Sequence, residues 1–368
     1  MSSSKKKKRG GRDPQAKLQV EFFDISRRAA ALREPGTSDK KLTGLAKMMA
    51  DKKGDSMPLP PGKKQNIDES IKLYEEALAL YRDKVTTKNP SYFAGAYQNV
   101  ATAMMEARRY VEAEEYFEQA EKISLAAGLQ NSQNHASILE NMVVLHIKAR
   151  NWEKAERAAR DSLRHYPEDS AAAQKAGLKL LDKKARHAKL CTMVGKFQDA
   201  IELCSVVLDK SSNKKVRKSE MSLVQSIAKS ELAILKRDKK LLQEAETQMS
   251  QSIGLAERAY SRKHSKTADH CEYCAMFQGA IRQDYNGAET MAMKAADCRQ
   301  GHLETMMAEE IFARQKGAAE DKELNYIKVD IMQDDRCRFM MEECLAMLGN
   351  VHDRRFLRPA EYLKWKGF

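Results

Sequence analysis

Two stretches, Tyr97-Gln-Asn-Val-Ala101 and Tyr110-Val-Glu-Ala113-Glu-Glu-Tyr-Phe117-Glu-Gln-Ala120, decide how this chain folds. In the second, Ala113, Phe117 and Ala120 fall at i, i+4 and i+7, one face of an α-helix. Tyr110 stands three positions ahead of Ala113. The same pairing of an apolar or aromatic residue with a small one returns as Ile67 with Ser70, Trp152 with Ala155, Phe197 with Ala200, Leu242 with Ala245 and Tyr285 with Ala288. Successive small positions are 42 to 45 residues apart. A fixed period of this size marks a repeat architecture, in which one supersecondary unit is used several times. Each unit is predicted to be a helical hairpin. Its small residue sits where the two helices cross, because only a small side chain lets them approach, and the aromatic plugs the turn.

The helical phrase after the small residue is repeated in Ala155-Glu-Arg-Ala-Ala-Arg-Asp-Ser162, Ala245-Glu-Thr-Gln-Met-Ser-Gln-Ser252 and Ala288-Glu-Thr-Met-Ala-Met-Lys-Ala295. Composition agrees: 8 prolines and 17 glycines in 368 residues leave few breaks, and the dominant residues are good helix formers. The expected fold is all-α, a right-handed α-solenoid of about six antiparallel hairpins over residues 64–300.

These residues resemble tetratricopeptide repeats. Tyr97 to Ala101, Tyr110, Ala113, Phe117 and Ala120 match that family's consensus positions in order, and the next repeat offers Leu139, Trp152-Glu-Lys-Ala155 and Pro167. The long spacing, the Asn99-Val-Ala101 phrase and the loop Thr87-Lys-Asn-Pro90 are similar to the longer repeats of kinesin light chains. The resemblance is strongest over 92–124 and 135–166 and fades towards both ends. It implies a concave groove lined by the first helix of each hairpin, with Gln98, Asn99, Thr102, Glu106, Asn141 and Lys148 facing it. Asn99 and Asn141 would bind the backbone of an extended peptide, since an amide both donates and accepts. The matching later positions, Arg186, Glu231 and Cys274, do not continue that asparagine ladder.

Around the repeats, residues 1–13 form a basic tail with Lys5, Lys6, Lys7, Lys8 and Arg9, too polar to bury surface and expected to be disordered. Residues 14–53 read as a small N-terminal helical region, with helices from Pro14 to about Glu34 and from Lys41 to Lys52. Residues 54–63, which hold three of the prolines, read as a linker. That leaves the first repeat without a first helix. Between Pro167 and Phe197 the first helix of a hairpin looks over-long, so the array is expected to be interrupted there. Further helices are expected over 301–350. Residues 351–368 mix Arg354, Arg355, Arg358, Lys364 and Lys366 with Phe356, Tyr362 and Trp365. This segment suits either a cap on the open end of the array or docking on an anionic surface.

Catalytic signatures are absent: no phosphate-cradling glycine loop, no Gly-x-Ser-x-Gly, no His-Glu-x-x-His. Adjacent carboxylates such as Glu114-Glu115 point about 100° apart on a helix and cannot share a substrate. The expectation is a non-enzyme without a cofactor. One cluster resembles four-ligand zinc spacing, Cys271-x-x-Cys274 with Cys298-x-x-x-His302. The alternative is packing, since cysteine is often buried as a small hydrophobe. His187, Cys191 and Cys204 fall at core positions of the repeat.

Seven cysteines, an odd number confined to the second half, suit a reducing compartment. No stretch is apolar enough to span a membrane, and the N-terminus has no secretory signal. The leading functional expectation is an adaptor that holds protein partners in its groove. The resemblance suggests a motor, ciliary or other multiprotein assembly and a cytoplasmic, cytoskeletal or ciliary setting. The alternative is a nucleic-acid-associated protein: the net charge of +13 and the basic run would suit phosphate contacts or nuclear import.

Overall fold

The computed structural model describes residues 14–33, 61–166, 171–211, 214–315, 349, 353 and 356–367. Among them are thirteen α-helices and no strand. In chain order they are α1 (Pro14–Arg33), α2 (Pro61–Lys84), α3 (Pro90–Glu106), α4 (Tyr110–Ala126), α5 (Gln133–Lys148), α6 (Trp152–Arg164), α7 (Ala171–Met193), α8 (Phe197–Lys210), α9 (Lys215–Lys236), α10 (Lys239–Ala259), α11 (Ser265–Phe277), α12 (Tyr285–Gln315) and α13 (Pro359–Lys366). The chain divides into two units, the first holding α1–α5 and the second α6–α13. In the first, α1 pairs with α2 and α3 with α4; in the second, α7 pairs with α8, α9 with α10 and α11 with α12. The fold is an all-α array of tetratricopeptide-like hairpins.

The repeat residues do what their spacing predicts. Ser70, Ala113, Ala155, Ala200, Ala245 and Ala288 are each 0% exposed. Four turns place a left-handed residue two positions before the aromatic: Arg108 (φ 63°) before Tyr110, Arg150 (54°) before Trp152, Gly195 (83°) before Phe197 and Gln283 (57°) before Tyr285. A left-handed residue ends a helix by turning its N–H back onto the last carbonyls. Glycine does this without a Cβ clash, whereas arginine or glutamine carries a steric cost. Several helix starts are capped by their own loops. In the Thr87–Pro90 loop, Asn89 Oδ1 accepts from the N–H groups of Ser91 and Tyr92, and Pro90 occupies the first turn, where no N–H is needed. Asp238 and Ser132 cap α10 and α5 in the same way.

The first repeat is not missing its first helix. α1 supplies it, from upstream of the proline-dense stretch. Phe22, Ile25 and Ala29 join Ile67, Tyr74 and Tyr81 in the core of the first unit. The crossing residue Ser70 donates its hydroxyl to the Ala29 carbonyl at 2.9 Å. The expected division between an N-terminal region at 14–53 and repeats from 64 therefore gives way to a hairpin of α1 and α2. α2 begins at Pro61, inside the expected linker, because proline is accommodated in a first helical turn.

The expected interruption falls in α7, where Gly177 (φ 44°, ψ −116°) breaks the helical backbone. α12 runs through the expected boundary at residue 300. The helix expected over 41–52, the basic run Lys5–Arg9 and the helices expected beyond 315 lie outside the described residues. No described helix is long and apolar enough to cross a membrane.

Candidate protein-binding site

In the first unit, the first helices of successive hairpins lie side by side. Asn134 on α5 donates to the Ser91 carbonyl on α3 at 3.1 Å, and Gln98 on α3 donates to Ser137 Oγ on α5 at 2.9 Å. Three of the six predicted groove residues are engaged within the unit. Gln98 ties α3 to α5, and Thr102 donates to the Gln98 carbonyl at 2.7 Å. Glu106 accepts from Arg33 Nε on α1 at 2.9 Å, with the guanidinium 5.9 Å from the Tyr74 ring centre. Lys148 is exposed at the end of α5. Asn99 and Asn141 are half-buried and make no side-chain hydrogen bond with any described residue. These two amides, held at the same point of neighbouring repeats, retain their donors and acceptors for something else.

The second unit treats the equivalent face differently. α7, α9 and α11 are the first helices of its three hairpins, and α13 packs against all three. Arg358, just before α13, pairs with Glu231 on α9. The other Glu231 oxygen accepts from the Ala360 N–H at 3.2 Å. Tyr362 donates its hydroxyl to Glu272 on α11 at 2.8 Å and packs edge-on against Tyr273. Lys366 reaches Asp269 at 2.6 Å and also bonds Glu272. At the ends of the segment, Phe356 stacks on Tyr285, and Lys364 pairs with Glu153 of α6 at 3.6 Å.

The backbone is shaped for this segment. Past Phe277 the helix widens into a π-turn at Gln278–Arg282, a form often found at functional positions. A Cβ on Gly279 within it would lie 2.3 Å from the Phe356 ring. Glycine at 279 is therefore what lets the ring approach.

Charge is matched at unequal strength beneath α13. Burial pushes the Glu272 carboxyl up, but Lys366 and Arg299 outweigh it and hold the group below its ordinary value. Arg299, on α12, donates to Glu272 at 2.7 Å and to Asp269 at 3.1 Å. Glu231 has one cation, and there burial wins over the Ala360 N–H and Arg358, leaving its carboxyl raised. For Lys366, burial pulls down while Asp269 and Glu272 more than compensate, so it stays charged.

The C-terminal segment is thus neither an end cap nor a free cationic arm. Tyr362 and Leu363 are buried, but across first helices rather than on an exposed end. Arg358 and Lys366, which the nucleic-acid alternative would assign to phosphates, are engaged with carboxylates of the same chain. Glu231 falls on the groove register in the sequence, but its occupant lies 127 residues away. The available signal was an acidic residue on the ladder and a cationic, aromatic segment elsewhere in the chain.

The suspected zinc residues do not form one set. Cys271 and Cys298 lie beside each other, whereas His302 packs its ring 4.4 Å from His264. Antiparallel helices explain this. With Cys298 level with Cys271, moving on to His302 moves back along α11, away from Cys274, and the two end about 10 Å apart along the axis. Among the described residues, Glu156, His187 and Cys191 do bring ligand atoms within 4.8 Å of one another. There Lys196 already sits 2.6 Å from Glu156, and burial pushes the Cys191 thiol up to about 12. A protonated thiol is a poor metal ligand.

No family model matches the chain, and no curated protein does. Among solved structures it is similar to BtubC (BKLC) from P. vanneervenii, at 16% identity and TM-score 0.40 over 63% of this chain and 91% of that one. It is also similar to a putative kinesin light chain of P. anserina with nearly identical TPR-like repeats, at 12% identity and TM-score 0.42 over 67% and 98%. A third similar structure is the apo form of the quorum sensor NprR from B. thuringiensis, at 12% identity and TM-score 0.40 over 96% and 99%.

Proposed function

We propose that this chain is a non-catalytic scaffold that binds protein segments along the first helices of its hairpins, and that the first unit takes an extended segment across α3 and α5. The observation that supports this is the pair of uncommitted amides, Asn99 and Asn141, on neighbouring first helices where Gln98, Thr102 and Glu106 are tied down. Each amide can pair with both an N–H and a carbonyl of an extended backbone. The pair therefore holds a segment in register while leaving its side chains to other contacts. The kinesin-light-chain-like spacing of the sequence suits an adaptor within a multiprotein assembly, in a cytoplasmic, cytoskeletal or ciliary setting.

The test is a displayed library of random peptides selected on the intact protein. Selected peptides are then titrated against Asn99→Ala with Asn141→Ala. The expected result is roughly a tenfold or greater loss of affinity, since each amide bond lost costs about 0.5–1.5 kcal/mol. Deleting residues 1–13 should leave affinity unchanged. Peptides that bind the double variant as well as the parent would overturn the reading.

A further inference from the structure

The face made by α7, α9 and α11 is built to recognise a pattern. Its carboxylates Glu231 and Glu272 are each 3% exposed in their side chains, yet both carry bonds from residues 358–366, and Asp269 joins Glu272 on Lys366. Gly279 provides a notch for one aromatic ring, and Tyr273 provides a wall for a second. The pattern read is an aromatic, an arginine two residues on, a tyrosine four beyond that, and a lysine four further. Much of what holds the segment is therefore charge and hydrogen bonding, interactions that water and other cations can replace. The contrast is with Phe117, 0% exposed among apolar neighbours in the first unit.

α13 has only eight residues, below the ~12–15 at which an isolated helix holds together in water. Its helical form depends on the face that receives it. Trp365 remains 61% exposed and Leu357 41%, so the segment leaves apolar edges uncovered.

We infer that the α7–α9–α11 face is a second protein-binding site, specific for a cationic, aromatic helical segment of a partner, and that residues 356–367 are a resident occupant which such a partner displaces. The partner is defined by charge complementarity: an arginine for Glu231, a lysine for Asp269 and Glu272, and an aromatic for the Gly279 notch. The tethered occupant competes at an effective concentration on the order of millimolar. A partner therefore has to bind the bare face much better than the covered one, and the tail sets a threshold on binding. This inference goes beyond the amide pair of the first unit and concerns other residues, so either can fail while the other stands.

The probe is a fluorescent synthetic peptide with the sequence of residues 354–368, added to the full-length protein. Its affinity is measured for the parent chain, for Arg358→Ala with Lys366→Ala, which weakens the resident tail, and for that variant carrying Glu231→Gln or Gly279→Ala on the receiving face. Circular dichroism melting of each variant reports folding. The expected result is binding to the tail-weakened chain roughly tenfold or more tighter than to the parent, lost again with either receiving-face substitution. Gly279→Ala changes no charge and Glu231→Gln leaves the buried Arg299 network untouched, so at least one folded receiving-face variant is available. Absence of peptide binding to the folded tail-weakened variant would overturn the inference and make α13 a fixed part of the fold. Equal binding to parent and variant would also overturn it. So would concentration-dependent dimerisation of the parent chain, because the occupant would then come from a second copy.

Discussion

The first-helix face of the first unit keeps two side-chain amides uncommitted, whereas the corresponding face of the second unit is covered by a segment of its own chain. The hairpins beneath are alike, with a crossing residue fully buried in each and an aliphatic or aromatic plug three positions before it. The repeat period therefore specifies the hairpins, and single residues on the first helices set what each face offers. Asn99 and Asn141 in one unit, and Glu231 at the matching position in the other, make that difference.

The sharpest way to break the comparison is to remove the charge that the covered face shares with its interior. Glu272→Ala leaves Arg299, whose side chain is 2% exposed, with Asp269 as its remaining carboxylate and removes the acceptor of Tyr362 and Lys366, and should cost about 3 kcal/mol. Glu106→Ala breaks the Arg33 pair in the first unit, where the carboxylate is 40% exposed, and should cost about 0.2–1 kcal/mol. Urea titration followed by circular dichroism measures both, and equal costs would show that the two faces are not different in kind.

Arg358→Ala comes next. It takes the cation from a buried carboxylate and should weaken tail docking by about 1–3 kcal/mol. Faster protease cleavage on the C-terminal side of Lys364 or Lys366, with the melting of the hairpins retained, is the expected signature.

Acidification sharpens the same contrast. Glu272 is held below its ordinary 4.5, so its contribution is complete above that pH and is lost as pH falls through the depressed value. The groups facing it are Lys366 and Tyr362 from α13, Arg299 from α12 and Asp269 from its own helix. Glu231, raised above 4.5, runs the other way: its contribution is present below 4.5 and fades as pH rises through the raised value. Tail release should therefore begin only below about pH 4.5, and Glu231→Gln should move its onset upward by removing the opposing proton uptake. Trp365 emission, read in a Trp152→Phe background, follows it.

The smallest effect belongs to the turns. Arg108→Gly and Gln283→Gly replace left-handed residues that carry a Cβ and should each raise stability by up to about 1 kcal/mol. The melting temperature of each variant would show it, and a decrease would mean that the side chain contributes more than the backbone strain costs.

How much of this was legible in the sequence follows from the range of each interaction. Ala113 with Phe117, or Trp152 with Ala155, are signals within one helix, and such local pairs predicted the hairpins. The role of α1 was hidden because its partner, Ser70, is 41 residues from Ala29, and the intervening proline-dense stretch reads as a division. Asn99 and Asn141 stand out in the sequence because they share a register. The occupied face does not, because Arg358 and Glu231 are 127 residues apart and neither breaks any local rule. The zinc spacing divides for a geometric reason: on antiparallel helices, with Cys271 and Cys298 level, Cys274 and His302 lie in opposite directions along the axis.

The distance between Glu231 and Arg358 has a consequence during synthesis. At ~5–20 residues per second, a ribosome reaches Arg358 roughly 6 to 25 s after Glu231. The α9–α10 hairpin relies on neighbours in sequence and can form within that interval, while the segment that will cover it does not yet exist. Every newly made copy therefore passes through a period in which the acidic face is open to whatever cationic helix is nearby.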